Sequence, residues 1–551
     1  MKRYSLIAFF ILITAGALYA QTSNIIEPEP ITSAIQKANI GKVIFEADTI
    51  PLEKLKPTDF LTSYYAKPEN NLYMRLVLGN SLTNYQHALQ PSSTVDDLNK
   101  GNFQFTFYVD GRQIYQENLN KGANLPVVKN TSTSIFVPLI NNRGEDSWGC
   151  FLWGRFMARG GEDALTAGTH QLKIEVRPYV AIPDLKVGND IIAQGELQFS
   201  MPAIESKDVP LQPIKPGSGW PVSTESFDKK KLMAMNGLIA NNIFKKITSV
   251  VVIKNGKLLI EEYFNGSARD SLHNPRSVGK TFASTVMGMA IRDGYIKSVD
   301  QTLKEFYDLK KFSNYSTQKD NVTLKSLLTM SSVFDADDSK SDSPGNEENM
   351  YPTDDWVKFT LDLKTDSAKN AYKQWNYFTA GAVLLGDILN KTVAGGLDKY
   401  SNLKLFKPLG ITHYQWQYTP QNVPSTAGGL QMRSLDYAKF GQLYKNGGLW
   451  NGKQVLPQSW VKESFTKHLT LPKDMGGEGY YGYLFWNKTY TVNNKAYETY
   501  YCSGNGGNKI FVFTNQPLVV IVTAEAYNTP YAHPQVDKMM QEYILPAVLG
   551  K

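Results

Sequence analysis

Ser277 and Lys280 lie three residues apart in the segment NPRSVGKTFASTVMGMAIRDGYI, which runs from Asn274 to Ile296. A serine hydroxyl becomes a good nucleophile when a neighbouring base takes its proton, and a lysine in a crowded, desolvated place can be that base. The pair therefore has the chemistry of acyl transfer through serine. Spacing alone decides little, because Ser226/Lys229, Ser316/Lys319 and Ser459/Lys462 repeat it. Context separates them. Pro275 sits where a helix would start, and Phe282, Val286 and Met289 then recur at i, i+4 and i+7 as one apolar stripe. Ala283 and Gly288 are small, as tight packing would need. The pattern predicts Ser277 in the first turn of a buried helix, where free N–H groups favour an anionic oxygen. Lys280, one turn on, shares its face. Ser226/Lys229 lies beside a Pro-rich segment, Ser316/Lys319 in a polar stretch and Ser459/Lys462 on a surface-like helix.

Two further segments can complete such a site. In QWNYFTAGAVLLGDIL, Tyr377 precedes an apolar helix, and a tyrosine held beside a lysine can act as acid or base. In YCSGNGGNKIFVF, Ser503-Gly504-Asn505-Gly506-Gly507 feeds a buried strand. Glycines let a backbone approach a ligand, so an N–H there could join that of Ser277 in binding an oxyanion. Read alone, this stretch is more readily an ordinary glycine turn, and it gains weight only from the other two segments.

These three segments, in this order and together with LKSLLTMSSVF and AGGLQMRSLDYAKFGQLYKNGGLWNGKQVL, resemble the serine β-lactamase-related family. That family comprises class C β-lactamases, D-Ala-D-Ala carboxypeptidases, esterases and 6-aminohexanoate-dimer hydrolases. The resemblance covers about residues 230–551. It implies an antiparallel sheet flanked by helices, an acyl-enzyme on Ser277, Lys280 as base, and neither metal nor cofactor. It matches Tyr377 to the family's Tyr-x-Asn tyrosine and Gly504 to the glycine of its Lys-Thr-Gly box, with the Asn505 N–H as second oxyanion donor. Thr379 and Cys502 fall at the family's substrate-binding positions, where Asn and Lys or His are usual. Those departures favour an ester or amide substrate over a β-lactam. They also leave open a slowly acylated binding or sensor protein; a peptidoglycan D-Ala-D-Ala peptidase is a narrower alternative, against which the missing Lys or His at position 502 argues.

Other residues carry weaker signals. Cys502 has no His near it in sequence to activate it as a rival nucleophile. His273 and Arg276 are read as buttresses of the helix start. The acidic stretch FDADDSKSDSPGNEENMYPTDDW is read as a solvated loop, or else as a pocket rim that favours cationic substrates. The six His are isolated and suggest no zinc site, and the two Cys, Cys150 and Cys502, could pair only across domains.

The elements that must position these groups follow from the rest of the chain. With 551 residues and a net charge of +7 without a basic cluster, it is long enough for several domains and has no nucleic-acid footprint. Residues 1–20 follow the order of a secretory signal peptide, with Lys2 and Arg3, an apolar core and small residues to Ala20. This predicts export to the periplasm or medium, without a membrane span after cleavage. Residues 25–200 alternate apolar and polar, as in Phe103, Phe105, Phe107 and Val109 before Asp110-Gly111, and predict a β-rich, sandwich-like domain. Its aromatic stretch SWGCFLWGRF is read as core, with a surface for a polymer or protein ligand as the other reading. The Pro-rich residues 201–222 form the expected linker, and 223–551 the hydrolase domain, for an α+β chain overall.

Overall fold

Strand pairing in the computed structural model begins where alternation and turn chemistry meet. The structure describes residues 24–67, 70–141, 146–202, 209–472 and 479–550; the leader 1–20 lies outside them. Asn102–Val109 and Arg112–Asn118 form a hairpin whose turn residues, Asp110 and Gly111, have φ of 49° and 78°. Positive φ at both positions matches the twist of the strands it joins. These strands belong to one nine-stranded sheet. Its main order is Arg112–Asn118, Asn102–Val109, Gly168–Val180, Ala193–Met201, Lys42–Glu46, Leu72–Val77 and Ser134–Ile140.

The apolar face of this sheet is covered by a helix where the sequence reading placed a second sheet. SWGCFLWGRF folds as the helix Trp148–Phe156, capped by the Ser147 side chain. Phe156 stacks on Phe107 at 4.5 Å between ring centroids, and Trp153 lies 5.4 Å from Phe199. Each such ring, once buried, contributes on the order of 2 kcal/mol. The segment is therefore core, as read, but it is helical.

The described part of the expected linker, residues 209–222, is held against the second domain. Gln212 hydrogen-bonds Glu262 and the Tyr263 carbonyl, Arg269 donates to the carbonyls of Lys215 and Pro216, and Trp220 enters the second domain's core. Residues 209–222 thus belong to the surface of the hydrolase domain.

In that domain an eight-stranded sheet runs in the order Lys257–Tyr263, Ile247–Lys254, Leu518–Ala524, Asn508–Phe513, Lys495–Gly504, Trp486–Val492, Tyr480–Tyr481 and Leu469–Thr470. Distant segments of the chain meet in it, and its neighbouring strands pair antiparallel. The Asn255-Gly256 turn again has two positive φ values, 51° and 71°. Helix Gly279–Arg292 is enclosed further than its stripe implied, for every residue from Gly279 to Ala290 is buried. Phe282 stacks on Phe440 of helix Ser434–Lys445 at 3.9 Å. Gly288 has no room for a side chain, since a Cβ there would stand 2.4 Å from the Trp460 ring. Helix Thr379–Thr392 shares this core through Val383, Leu384 and Ile388. The C-terminal segment Ala532–Leu549 contributes to a separate core containing Phe511 and Val520, on the other face of the sheet. Among the described residues no helix is long and apolar enough to cross a membrane.

Candidate active site

Ser277 occupies a short 3-10 turn, Arg276–Val278, that leads into the helix at Gly279. The turn is set by Arg276, whose φ of 53° is in the left-handed region. A non-glycine residue there costs on the order of 1–3 kcal/mol and persists only when its surroundings hold it. Two backbones crowd this turn. A Cβ on Gly504 would lie 1.8 Å from the Pro275 carbonyl oxygen and 3.2 Å from the Ser277 nitrogen. A Cβ on Gly428 would lie 2.7 Å from the Arg276 carbonyl and 3.1 Å from the same nitrogen. Glycine is needed at both positions because backbone must pass against backbone.

Ser277 is half-buried, whereas Lys280 is buried to 2 % exposure. Lys280 Nζ donates to Ser277 Oγ at 2.7 Å and to the Ala427 carbonyl. It also stands 5.2 Å from the centroid of the Tyr377 ring, within cation–π range. Tyr377 is held in an aromatic setting, 5.9 Å from Trp375 and 6.0 Å from Trp486. Burial pushes its phenol above the ordinary tyrosine value, while the Lys280 charge and a hydrogen bond with Ser277 work the other way. The structure thus brings Ser277, Lys280, Tyr377 and Gly504 together. Asn505 follows Gly504, and its side chain is engaged with Asn528, donating to Asn528 Oδ1 and accepting from the Asn528 N–H at 2.8 Å.

Two expected substrate contacts are buried side chains. Cys502 is 0 % exposed and faces the nucleophile helix, where Thr281 Oγ1 donates to its sulfur at 3.3 Å. Burial pushes its thiol up to about 12, which disfavours the thiolate that a nucleophile needs. Thr379 is also 0 % exposed, and its backbone N–H donates to Asp338 Oδ2 at 2.7 Å at the start of its helix. Both side chains are buried. No disulfide joins Cys150 to Cys502. On the strand adjacent to the Gly504 box, Lys509 Nζ donates to Ser503 Oγ at 2.8 Å. Strand alternation puts it on the face opposite Cys502, beside Tyr501 and under the influence of Asp537.

The acidic stretch proves to be packed against the site. Asp338 accepts from the N–H groups of Thr379 and Glu347, and its own N–H donates to the Tyr377 carbonyl at 2.8 Å. Burial raises both the Asp338 and Glu347 carboxyls; their mutual repulsion raises Glu347 further, and the Lys280 charge pulls both down. Asp338 therefore braces Tyr377 and places negative charge within reach of Lys280. His273 does buttress the turn. It is buried, its Nδ1 lies 3.2 Å from Thr248 Oγ1, and its N–H donates to the Met432 carbonyl. Sequence reasoning missed Asp338, Gly428 and the Ala427 carbonyl; the AGG triplet in the quoted AGGLQM segment was the available signal for the last two. Among the described residues no group of three or more His, Cys, Asp or Glu is placed to hold a metal.

The beta-lactamase family model matches residues 241–539, a span that takes in every group just described except those of the first domain. No curated protein matches the chain. Similar solved structures include one assigned as a 6-aminohexanoate-dimer hydrolase from Bacillus anthracis, with 17 % identity and a TM-score of 0.46, covering 61 % of this chain and 88 % of that one. The octameric penicillin-binding protein homologue from Pyrococcus abyssi has 18 % identity and a TM-score of 0.44, covering 58 % and 77 %. The D-stereospecific amidohydrolase from a Streptomyces species has 16 % identity and a TM-score of 0.41, covering 55 % and 94 %.

Proposed function

The chain belongs to the beta-lactamase family, and from that premise we propose that it is an exported serine hydrolase that opens an ester or amide bond through an acyl-enzyme on Ser277. The observation that carries the reading is the 2.7 Å contact between the half-buried Ser277 hydroxyl and the buried Lys280 ammonium, with Tyr377 beside both. Lys280, as its free amine, takes the Ser277 proton as Oγ attacks the carbonyl carbon. The oxyanion forms at the crowded turn where the Ser277 N–H and the backbone after Gly504 converge, and donors fixed in advance stabilise it without reorganising. Tyr377, kept protonated at neutral pH by burial, gives a proton to the leaving oxygen or nitrogen. Water then releases the acyl group and restores Ser277. Burial of Cys502 and Thr379 leaves no side chain at those two positions for a β-lactam's carboxylate and amide, which favours simpler esters and amides.

Steady-state turnover of a p-nitrophenyl acyl ester tests the reading. Many turnovers per site in the wild type, lost in Ser277→Ala, are expected. A wild type that releases at most one equivalent would instead support the slowly acylated binding protein. Export rests on the Lys2-to-Ala20 leader, and a secreted product beginning at Gln21 is expected on N-terminal sequencing.

A further inference from the structure

The first domain does not simply precede the hydrolase; it touches the turn that carries the nucleophile. Asp146, two residues before helix Trp148–Phe156, pairs through Oδ1 with Arg276 Nη1. Arg276 is the residue immediately before Ser277, and its left-handed backbone sets the direction in which the turn presents that serine. The guanidinium is otherwise held by the Tyr527 ring, 4.5 Å from its centroid, and its Nε is buried with no hydrogen-bond partner. Burial works against the charge on Arg276, and Asp146 is the largest counterweight. The second Asp146 oxygen lies 3.2 Å from the Tyr351 hydroxyl, which in turn lies 2.9 Å from Glu347, so one carboxylate links the nucleophile's turn to the acidic wall.

A second tether reaches the other side of the site. Gly154, on the same helix, lies so close to Asn528 that a Cβ would stand 2.5 Å from its Nδ2. Asn528 is the residue that clasps Asn505, next to Gly504. The helix thus abuts both halves of the crowded turn. Two other cross-domain contacts of this helix, Phe151 with Tyr351 at 5.8 Å between ring centroids and Arg155 with Glu348 at 2.6 Å, touch neither half.

We infer that the first domain is a working part of the active site, and that Asp146 is a positioning residue which holds the Arg276 backbone so that Ser277 is aimed for attack. The inference rests on the acyl-enzyme reading above. Nothing in the family-matched span, 241–539, supplies Asp146, so this arrangement belongs to the two-domain chain.

The test uses the full chain and a fluorophosphonate probe, with the labelling rate read by intact mass alongside melting temperature. The variants are Asp146→Asn, Asp146→Glu, Arg276→Gln, the Asp146→Asn/Arg276→Gln pair, and Arg155→Gln. Asp146→Asn is expected to slow labelling at least tenfold, with the double variant no slower than Arg276→Gln alone and partial recovery in Asp146→Glu. For ester turnover the loss should fall in kcat with KM little changed. Arg155→Gln, which breaks the neighbouring ion pair, should lower the melting temperature and leave the labelling rate near wild type. Equal slowing by Asp146→Asn and Arg155→Gln, or additive effects in the double variant, would overturn the inference by reducing it to domain docking. Wild-type labelling speed in Asp146→Asn would overturn it outright. A wild type that takes no label at all would instead sink the acyl-enzyme reading on which it stands.

Discussion

Lys280 is buried beneath a serine that solvent can still reach, and this difference over one helical turn is what an internal base and an accessible nucleophile require. Replacing Lys280 by Met keeps the volume and removes the proton acceptor; kcat for ester hydrolysis should fall by about a hundred- to ten-thousandfold with the fold intact by circular dichroism. Tyr377→Phe should cost about a hundredfold, since the ring and its Trp375 and Trp486 contacts remain while the proton is lost. A variant at either position with wild-type kcat would remove that residue from the mechanism. Ser277, Lys280 and Tyr377 were legible because each is announced by a helix start, a local signal. Asp338 and Ala427 were not, because they act through segments that only tertiary folding brings to the serine. The burial of Thr379 and Cys502 was not legible from their motif positions. Thr379 turns inward as its helix begins, and strand alternation sends Cys502 toward Thr281.

At the scale of elements, the site is made where a strand end and a helix start press together. Gly504→Ala forces a methyl group into the Pro275 carbonyl, so the turn must move; acylation should fall at least roughly a hundredfold, as misplacement by about 1 Å can do. Labelling at the wild-type rate would mean the turn tolerates the shift. Gly288→Ala instead meets the Trp460 ring behind the same helix, and the expected effect is on stability, about 1–3 kcal/mol in a urea titration. Hairpins at Asp110-Gly111 and Asn255-Gly256 could be read directly, since those turns need positive φ and name the residues that supply it. The aromatic helix was harder. Trp148, Leu152, Trp153 and Phe156 do recur at helical spacing, but their bulk drew the reading toward a sheet core before the period was weighed.

For the molecule as a whole, acid should loosen the hydrolase domain through a residue that does no chemistry. Burial lowers His273 to about 4, below its ordinary 6.5. Because the unfolded chain binds this proton first, the contribution is intact above about pH 6.5 and is lost as pH falls toward 4, up to about 3 kcal/mol. His273→Gln should therefore show a smaller drop in urea midpoint between pH 7 and pH 4 than the wild type; parallel curves would exclude His273 as a source. The two-domain layout was legible from the change in periodicity and the prolines between. The contact of Asp146 with Arg276 was not, because no local pattern records which surface of one domain will meet the other. Everything functional in this account passes through one atom, Ser277 Oγ. The most direct measurement is intact-protein mass after fluorophosphonate treatment of the wild type and Ser277→Ala. The account expects one adduct on the wild type and none on the variant; an unlabelled wild type, or equal labelling of both, would contradict it.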